Sequence, residues 1–493
     1  MKRFFSNPLL PLVVGACFRL VFVFKYPAAG GDTVLYEQLA TNWLKLGKFA
    51  MDINGVAAPV DLRMPGYPGF LAIVYALTRR TGEDARLPVM LTQVLVDLAT
   101  CVVIAALAAL LLRLCGQQGK TNRVFVSALW LAALCPFTTN YVAVPLTEVW
   151  AVFFTSVAFV LLALVAARVS GNFVRVPRGR ELAEKDTWKV AALGGFAVGF
   201  GTLMRPETPL LLITTFVSLA FWMWPRGEAK RWAKLCVVAG FACALVLLPW
   251  AIRNATTLHE FQPLAPKDTT LPSEVDPKGF VAWEKTWMYR VRDNYLVAWK
   301  LNDDEIRMED LPDAAFDTPD ERARVAMVLE TYNDEITWTA AEDAMFAQLA
   351  RERTARHPLR TYLWVPLRRA ARIWFTPRIE LVPISGHVFP LAYMREEDPA
   401  DQQMTILFFL VNFLYVALGL WGAWKLWQFH SARAALAVLL VYIGVRTAFL
   451  TTLETPEPRY VLECFPAIIA LGSVALSGSL RRISNASDTY NVL

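Results

Sequence analysis

Ten stretches of about 18 or more mostly apolar residues run through the chain, at 8–26, 87–112, 124–141, 146–167, 188–205, 207–224, 233–252, 403–427, 434–453 and 460–480. An α-helix needs about 20 such residues to cross a hydrocarbon core of roughly 30 Å, and lipid accepts only backbone that satisfies its own hydrogen bonds. The chain therefore reads as an all-α polytopic membrane protein. Composition agrees, since 56% of its 493 residues are hydrophobic and only 19% charged. Soluble domains carry about 25% charged residues. A soluble enzyme, a secreted disulfide scaffold and a disordered protein are excluded. Seven cysteines lie in or beside apolar runs and none in the polar segment 253–402, so neither disulfides nor a thiolate metal site is expected there.

An eleventh apolar run, Gly66 to Thr78, has 13 residues, with Pro65 ahead of it and Pro68 inside it. Whether it crosses decides the orientation of every later span. If it stays on the outer surface or dips in partway, the inner loops hold Lys2, Arg3, Arg113, Lys120, Arg123, Arg168, Arg175, Arg178, Arg180, Lys185, Arg226, Lys230, Arg231, Arg433, Arg481 and Arg482. If it crossed, the basic loops between 113 and 232 would face outward, against the positive-inside rule. The expected topology is thus ten spans with both termini cytoplasmic. The start, Met1-Lys2-Arg3 before an apolar stretch and Ala28-Ala29-Gly30, looks like a signal peptide, but Arg19 and Lys25 favour an uncleaved first span.

Three parts result. Residues 1–252 form an N-terminal membrane module with a first outer loop at 27–86, residues 253–402 an outer soluble segment, and residues 403–493 a three-helix membrane segment. From Glu274 to Asp343 the outer segment carries 18 acidic and 8 basic residues. Helical periodicity returns at Ala340–Arg356, with Met345, Phe346 and Leu349 on one side. The basic, aromatic stretch near 360–378 reads as a juxtamembrane helix lying among the headgroups.

Ionisable residues in or beside apolar spans are costly and rarely idle. Here Arg19, Asp97, Glu148, Arg205, Arg253, Arg446, Arg459 and Glu463 all fall toward the outer ends of their spans. Arg19 and Asp97 have a plain reading as a neutralising ion pair, whereas the set as a whole predicts a polar cavity opening outward. In the first loop Asp32 begins a helix with Leu35, Leu39, Trp43 and Leu46 at helical spacing. Asp32 is either the N-cap of that helix or a general base for an incoming hydroxyl. Arg63 is either an interfacial side chain or a phosphate ligand, since a guanidinium meets phosphate oxygens in bidentate fashion.

The ordered motifs Gly31-Asp32 with Tyr36, Arg63-x-Pro65-Gly66-Tyr67-Pro68, Pro145-Leu146-Thr147-Glu148, Arg205-Pro206, Pro249-Trp250-Ala251-Ile252-Arg253-Asn254 and Arg459-Tyr460 together resemble a known group. They are similar to the GT-C glycosyltransferases of the aminoarabinose-transferase and protein O-mannosyltransferase superfamily, over about residues 8–265 with weaker matches near 360–378 and 454–470. The resemblance implies a GT-C fold. It also implies transfer of a sugar from a polyprenyl-phosphate donor, such as undecaprenyl phosphate, to an acceptor at the periplasmic face of a bacterial inner membrane. By the resemblance Asp32 is the base and Glu148 the second essential acid. Arg63, Arg253 and Arg459 are candidates for the donor phosphate, with Arg368, Arg369 and Arg372 behind them. Tyr36, Tyr67, Arg205, Asn254 and Tyr460 are candidates for the substrate pocket. Aminoarabinose enzymes carry a Glu-Lys pair where this chain reads Leu62-Arg63, so the cation is kept and a proposed zinc-binding Glu is not. Aminoarabinose specificity and a bound zinc are therefore not expected.

The sequence establishes no cofactor, and a divalent metal stays open as an alternative without a ligand cluster to support it. The four histidines (259, 357, 387 and 430) are scattered, and Asp303-Asp304-Glu305 reads as a solvated face. No Gly-rich phosphate loop follows a strand, so a nucleotide sugar is not expected, nor is a nucleic-acid partner. The expected partners are the lipid-linked donor, membrane lipids and an acceptor that is a lipid, glycan or protein; the chain is expected to act as a monomer. The alternatives are another enzyme of lipid-linked glycans, a ligase or polymerase, and a secondary transporter. Transporters usually show related halves and midplane charges, which this chain lacks.

Overall fold

The computed structural model describes residues 7–53, 55–170, 186–266, 274–376, 399–478 and 480. Of the cations that orient the chain, Lys2, Arg3, Arg175, Arg178, Arg180, Lys185, Arg481 and Arg482 lie outside these residues, as do Arg378 and His387.

Helix α1 (Leu9–Lys25) leads into the first loop, which holds α2 (Gly31–Leu46), the antiparallel strands β1 (Ala50–Ile53) and β2 (Val56–Pro59), and α3 (Gly66–Thr78). Next come α4 (Arg86–Leu114), α5 (Thr121–Ala133), the single turn α6 (Pro136–Thr139), α7 (Glu148–Val169), α8 (Thr187–Met204), α9 (Leu210–Met223) and α10 (Ala229–Thr257). The polar segment contributes α11 (Lys278–Glu284), α12 (Val291–Leu296), α13 (Pro319–Glu335), α14 (Ala340–Arg356) and α15 (Val365–Phe375). The chain returns through α16 (Pro399–Trp427), α17 (Arg433–Leu450) and α18 (Phe465–Ala475).

Helices stand at all ten expected span positions. By length and composition six helical stretches among the described residues can cross a membrane, and a seventh if Gln118–Ala133 and Pro136–Ala143, bent by 54°, count as one. The other three, α1, α8 and α9, run 17, 18 and 14 residues and do not meet that measure. Proline explains the shortest, because Pro209 precedes α9 and Pro225 follows it, and a proline inside a helix removes a donor and clashes with the preceding turn. The hairpin β1–β2 is the one departure from an all-α reading among the described residues, and Gly55 at φ +80° supplies its turn.

The membrane helices share one continuous apolar core. Close backbone approach sets two of its contacts. A Cβ at Gly195 would strike the Ala239 carbonyl, so α8 lies directly on α10; one at Gly422 would strike the Leu471 carbonyl, so α16 lies on α18. Without a hydrophobic drive between helices in lipid, small residues at such crossings are what allow tight packing.

The polar segment has its own core of Phe280, Trp283, Trp287, Tyr332, Trp338 and Phe346. Thr318 caps α13 ahead of Pro319, and Thr339 and Glu342 form a capping box on α14, whose bounds match the expected helix. Of the 360–378 stretch, 377 and 378 lie outside the described residues, and the rest forms a π-turn at Arg360–Trp364 that runs into α15. One face of α15 buries Val365, Arg369 and Ile373, while Trp364 and Leu367 are exposed beside it.

Candidate active site

The site is assembled from residues at the start of α2, the start of α7, the turn between α8 and α9, and the loops before α3 and α18. Helix α2 starts from an extended Gly30, whose N–H donates to Thr33 Oγ1 at 3.0 Å, and the Thr33 hydroxyl donates to the Pro145 carbonyl at 3.3 Å. Those two bonds tie the start of α2 to the turn that opens α7. Gly30 is the N-cap, so Asp32 lies one residue into the helix and its capping role does not hold. The carboxylate instead accepts from Arg63 Nη2 at 2.9 Å, and Arg459 Nη2 stands 3.7 Å from its other oxygen. Burial by itself would raise the Asp32 pKa, but Arg63 and Arg459 outweigh it and hold the carboxyl below its ordinary range.

Glu148, the first residue of α7, is buried and accepts from Arg205 Nη2 at 2.7 Å through Oε1. Its Oε2 has no hydrogen-bond partner among the described residues. Arg205 also donates to Thr147 Oγ1 at 3.2 Å and stands 3.6 Å from Glu207 and 3.7 Å from Glu463. Behind it, Arg446 pairs with Glu463 at 2.7 Å and Glu207 at 3.3 Å and donates to the Tyr460 carbonyl at 3.0 Å. The Tyr460 ring lies under two guanidiniums, 5.5 Å from that of Arg205 and 5.6 Å from that of Arg459.

A cavity of 620 Å³ opens over these groups, lined by Asp32, Tyr36, Arg63, Glu148, Arg205, Glu207, Arg459 and Tyr460. Leu210 and Ile213 of α9, Phe449 and Leu450 of α17, and Leu453 give it an apolar side. Seven of the ten residues singled out from sequence therefore meet in one cavity. Three do not. Tyr67 is fully buried behind Tyr36 and donates to Gln93 Oε1 at 2.8 Å, bracing α3 against α4. Arg253 donates to the carbonyls of Phe49 at 2.6 Å and Val60 at 2.8 Å, which fixes the hairpin on α10, and it lines a separate apolar cavity of 1090 Å³. Asn254 is spent between Arg253 and the Gln262 carbonyl.

Arg368, Arg369 and Arg372 do not line the cavity either. Arg369 is buried and donates to the carbonyls of Met288 at 2.7 Å and Thr451 at 3.2 Å, while Arg368 covers the Tyr289 ring. Sequence reading passed over Glu207, Glu457 and Asn294. Glu207 and Glu457 each lie two residues from an arginine already singled out, a signal that could have found them; nothing in the sequence distinguishes Asn294.

Four guanidiniums (Arg63, Arg205, Arg446, Arg459) thus face five carboxyls (Asp32, Glu148, Glu207, Glu457, Glu463). An incoming phosphate has to draw a cation away from a carboxylate. Arg459 is the cation held most loosely, at 3.6 Å from Glu148 and 3.7 Å from both Asp32 and Glu457. Among the described residues, no three His, Cys, Asp or Glu side chains are grouped as a metal site.

No family model and no curated protein matches this chain. Among solved structures it is similar to the archaeal oligosaccharyltransferase AglB from Archaeoglobus fulgidus in complex with an inhibitory peptide and a dolichol-phosphate. That match has 14% identity and a TM-score of 0.48 over 94% of this chain and 50% of the other. It is also similar to ArnT from Cupriavidus metallidurans bound to undecaprenyl phosphate, at 12% identity and a TM-score of 0.39 over 95% of this chain and 77% of the other. The chain spans about half the length of the oligosaccharyltransferase. The functional reading therefore rests on the residues of the cavity.

Proposed function

We propose that this chain is a GT-C-type integral-membrane glycosyltransferase that moves a sugar from a polyprenyl-phosphate donor to an acceptor at the periplasmic face of a bacterial inner membrane. The observation that carries the proposal is the meeting, in one cavity with an apolar side, of a carboxylate and several guanidiniums contributed by distant segments. The donor's two halves match the two sides, with phosphate toward Arg63 and Arg459 and prenyl chain toward Leu210, Ile213 and Phe449.

In this reading the acceptor oxygen attacks the anomeric carbon while the bond from that carbon to the phosphate oxygen breaks. Polyprenyl phosphate leaves with the electron pair, and the acceptor proton passes to Asp32. Direct displacement inverts the anomeric configuration. Fixed guanidiniums stabilise the charge that grows on the leaving phosphate without reorganising, the usual source of the largest catalytic term. The Arg63–Asp32 bond adds an order to the events. A phosphate that recruits Arg63 loosens its hold on Asp32, so the carboxylate becomes a stronger base once the donor is in place.

The test is transfer from a labelled polyprenyl-phosphate sugar by detergent-solubilised protein. Asp32→Asn should lower the rate by about 10²–10⁴-fold with fold retained, and Arg63→Ala should weaken donor binding. Near wild-type transfer by a folded Asp32→Asn protein would remove Asp32 as the base.

A further inference from the structure

Arg459 is surrounded by carboxylates yet makes no short bond to any of them, so something else must fix where its guanidinium sits. It rides on the tight turn Pro458–Cys464, which follows a strap of residues 451–457 leaving α17. The polar segment grips that strap at three points. Arg369 donates to the Thr451 carbonyl at 3.2 Å, Lys285 stands 3.5 Å from Glu454, and Asn294 on α12 donates through Nδ2 to Glu457 Oε1 at 2.9 Å.

The third contact reaches the cavity. Asn294 and Glu457 are both buried, at 0% and 1% exposure, although they are 163 residues apart in the chain. The other Glu457 oxygen faces Arg459 Nε at 3.7 Å, and the Glu457 carbonyl accepts from Tyr460 N at 3.2 Å. One carboxylate therefore joins an amide of the polar segment to the loosest cation of the site.

We infer that Asn294 and Glu457 form a clamp through which the polar segment holds Arg459 in position for the donor phosphate. Both are positioning residues, and the inference rests on the functional reading above. Without the clamp Arg459 would collapse onto Glu148 and Asp32, which already stand 3.6 and 3.7 Å away, and would be withdrawn from phosphate.

The clamp has a sign in pH. The groups facing Glu457 are Arg459 on its own turn, Asp32 from α2, Glu148 from α7 and the Asn294 amide from α12. Burial, with the two carboxylates, pushes the Glu457 pKa up, whereas Arg459 and the Asn294 N–H favour the ionised form. Removing the N–H raises that pKa further, so the clamp is lost from a higher pH as the solution is acidified.

The experiment measures binding of undecaprenyl phosphate to the full-length purified protein from pH 5 to 8 for wild type, Asn294→Leu, Glu457→Gln and Arg459→Ala. Thermal unfolding runs in parallel. The phosphate monoester's own ionisation near pH 6 is common to all four and cancels in the comparison. Asn294→Leu should weaken binding about tenfold at pH 7, the effect of one charge-assisted hydrogen bond. It should also move the acid loss of binding to higher pH, while Glu457→Gln should weaken binding at every pH and abolish that shift. A folded Asn294→Leu protein with wild-type affinity and pH profile, beside an Arg459→Ala protein that has lost binding, would overturn the clamp and leave the functional reading standing. A uniform loss in Asn294→Leu with no pH shift and a lowered unfolding temperature would reduce Asn294 to a structural role and overturn it as well. A wild-type protein that does not bind the lipid would overturn both.

Discussion

Asp32 and Arg63 belong to one loop, 31 positions apart in sequence, and each takes its chemistry from the other. With Arg63 in place the Asp32 carboxyl is held below its ordinary range. Deleting the cation removes a charge that favours ionisation, so the pKa rises and the base is protonated at a higher pH. The acid limb of kcat/KM in Arg63→Ala should therefore move upward relative to wild type, read from a pH–rate series; a limb that stays put or moves down would separate Asp32 from the profile. Glu148 makes a different case. Its carboxylate is buried against Arg205, and removing one partner of a buried pair typically costs about 3–5 kcal/mol because the other charge is left uncompensated. Glu148→Gln should lower the thermal midpoint as well as the activity, whereas Asp32→Asn should lower activity alone. Glu148 stood out in the sequence because a charge at the edge of an apolar run needs a reason, whereas Asp32 stood out as the start of a loop helix and through the resemblance. Arg253 looked the same as Glu148 by the first criterion. What separates it is contact with the Phe49 and Val60 carbonyls, some 200 residues distant, and local pattern carries no such information.

At the scale of elements, apolar length placed the helices well, because burial in lipid imposes a minimum run that ordinary loops do not reach. It did not reveal the bend between α5 and α6, where Cys135 turns extended ahead of Pro136, nor the hairpin β1–β2, whose four-residue strands are too short to show an alternating pattern. Helix crossings were invisible for another reason: a glycine in an apolar run looks the same whether it meets a carbonyl or open space. Gly422 and Gly444 make the comparison. A Cβ at Gly422 would strike the Leu471 carbonyl, while one at Gly444 meets nothing within 4 Å. Gly422→Ala should cost about 1–3 kcal/mol by forcing α16 off α18. Gly444→Ala should leave the thermal unfolding midpoint in detergent unchanged or raised. Equal midpoints for the two variants would remove the close crossing as a source of stability.

Seen whole, the molecule is a membrane helix core and a polar segment with a core of its own, stitched together at the strap that precedes Arg459. The composition shift at residue 253 made the two parts legible; the stitching was not, because it is made of backbone carbonyls and single side chains. A second long-range link joins the membrane part to itself. Arg19 on α1 donates to Asp97 on α4 at 2.6 Å and to the Ala133 carbonyl on α5 at 3.0 Å, and both charged side chains are buried. During synthesis α1 leaves the ribosome long before either partner exists. An arginine within a span opposes insertion by about 2.5–3.5 kcal/mol at the helix centre, so α1 is a poor anchor until α4 arrives to neutralise it. Nascent chains ending shortly before Asp97 should be extracted from membranes by alkaline carbonate more readily than chains that extend through Leu114, and Asp97→Leu should prolong that vulnerable stage. In this protein a helix made early would be secured in the bilayer by one made later.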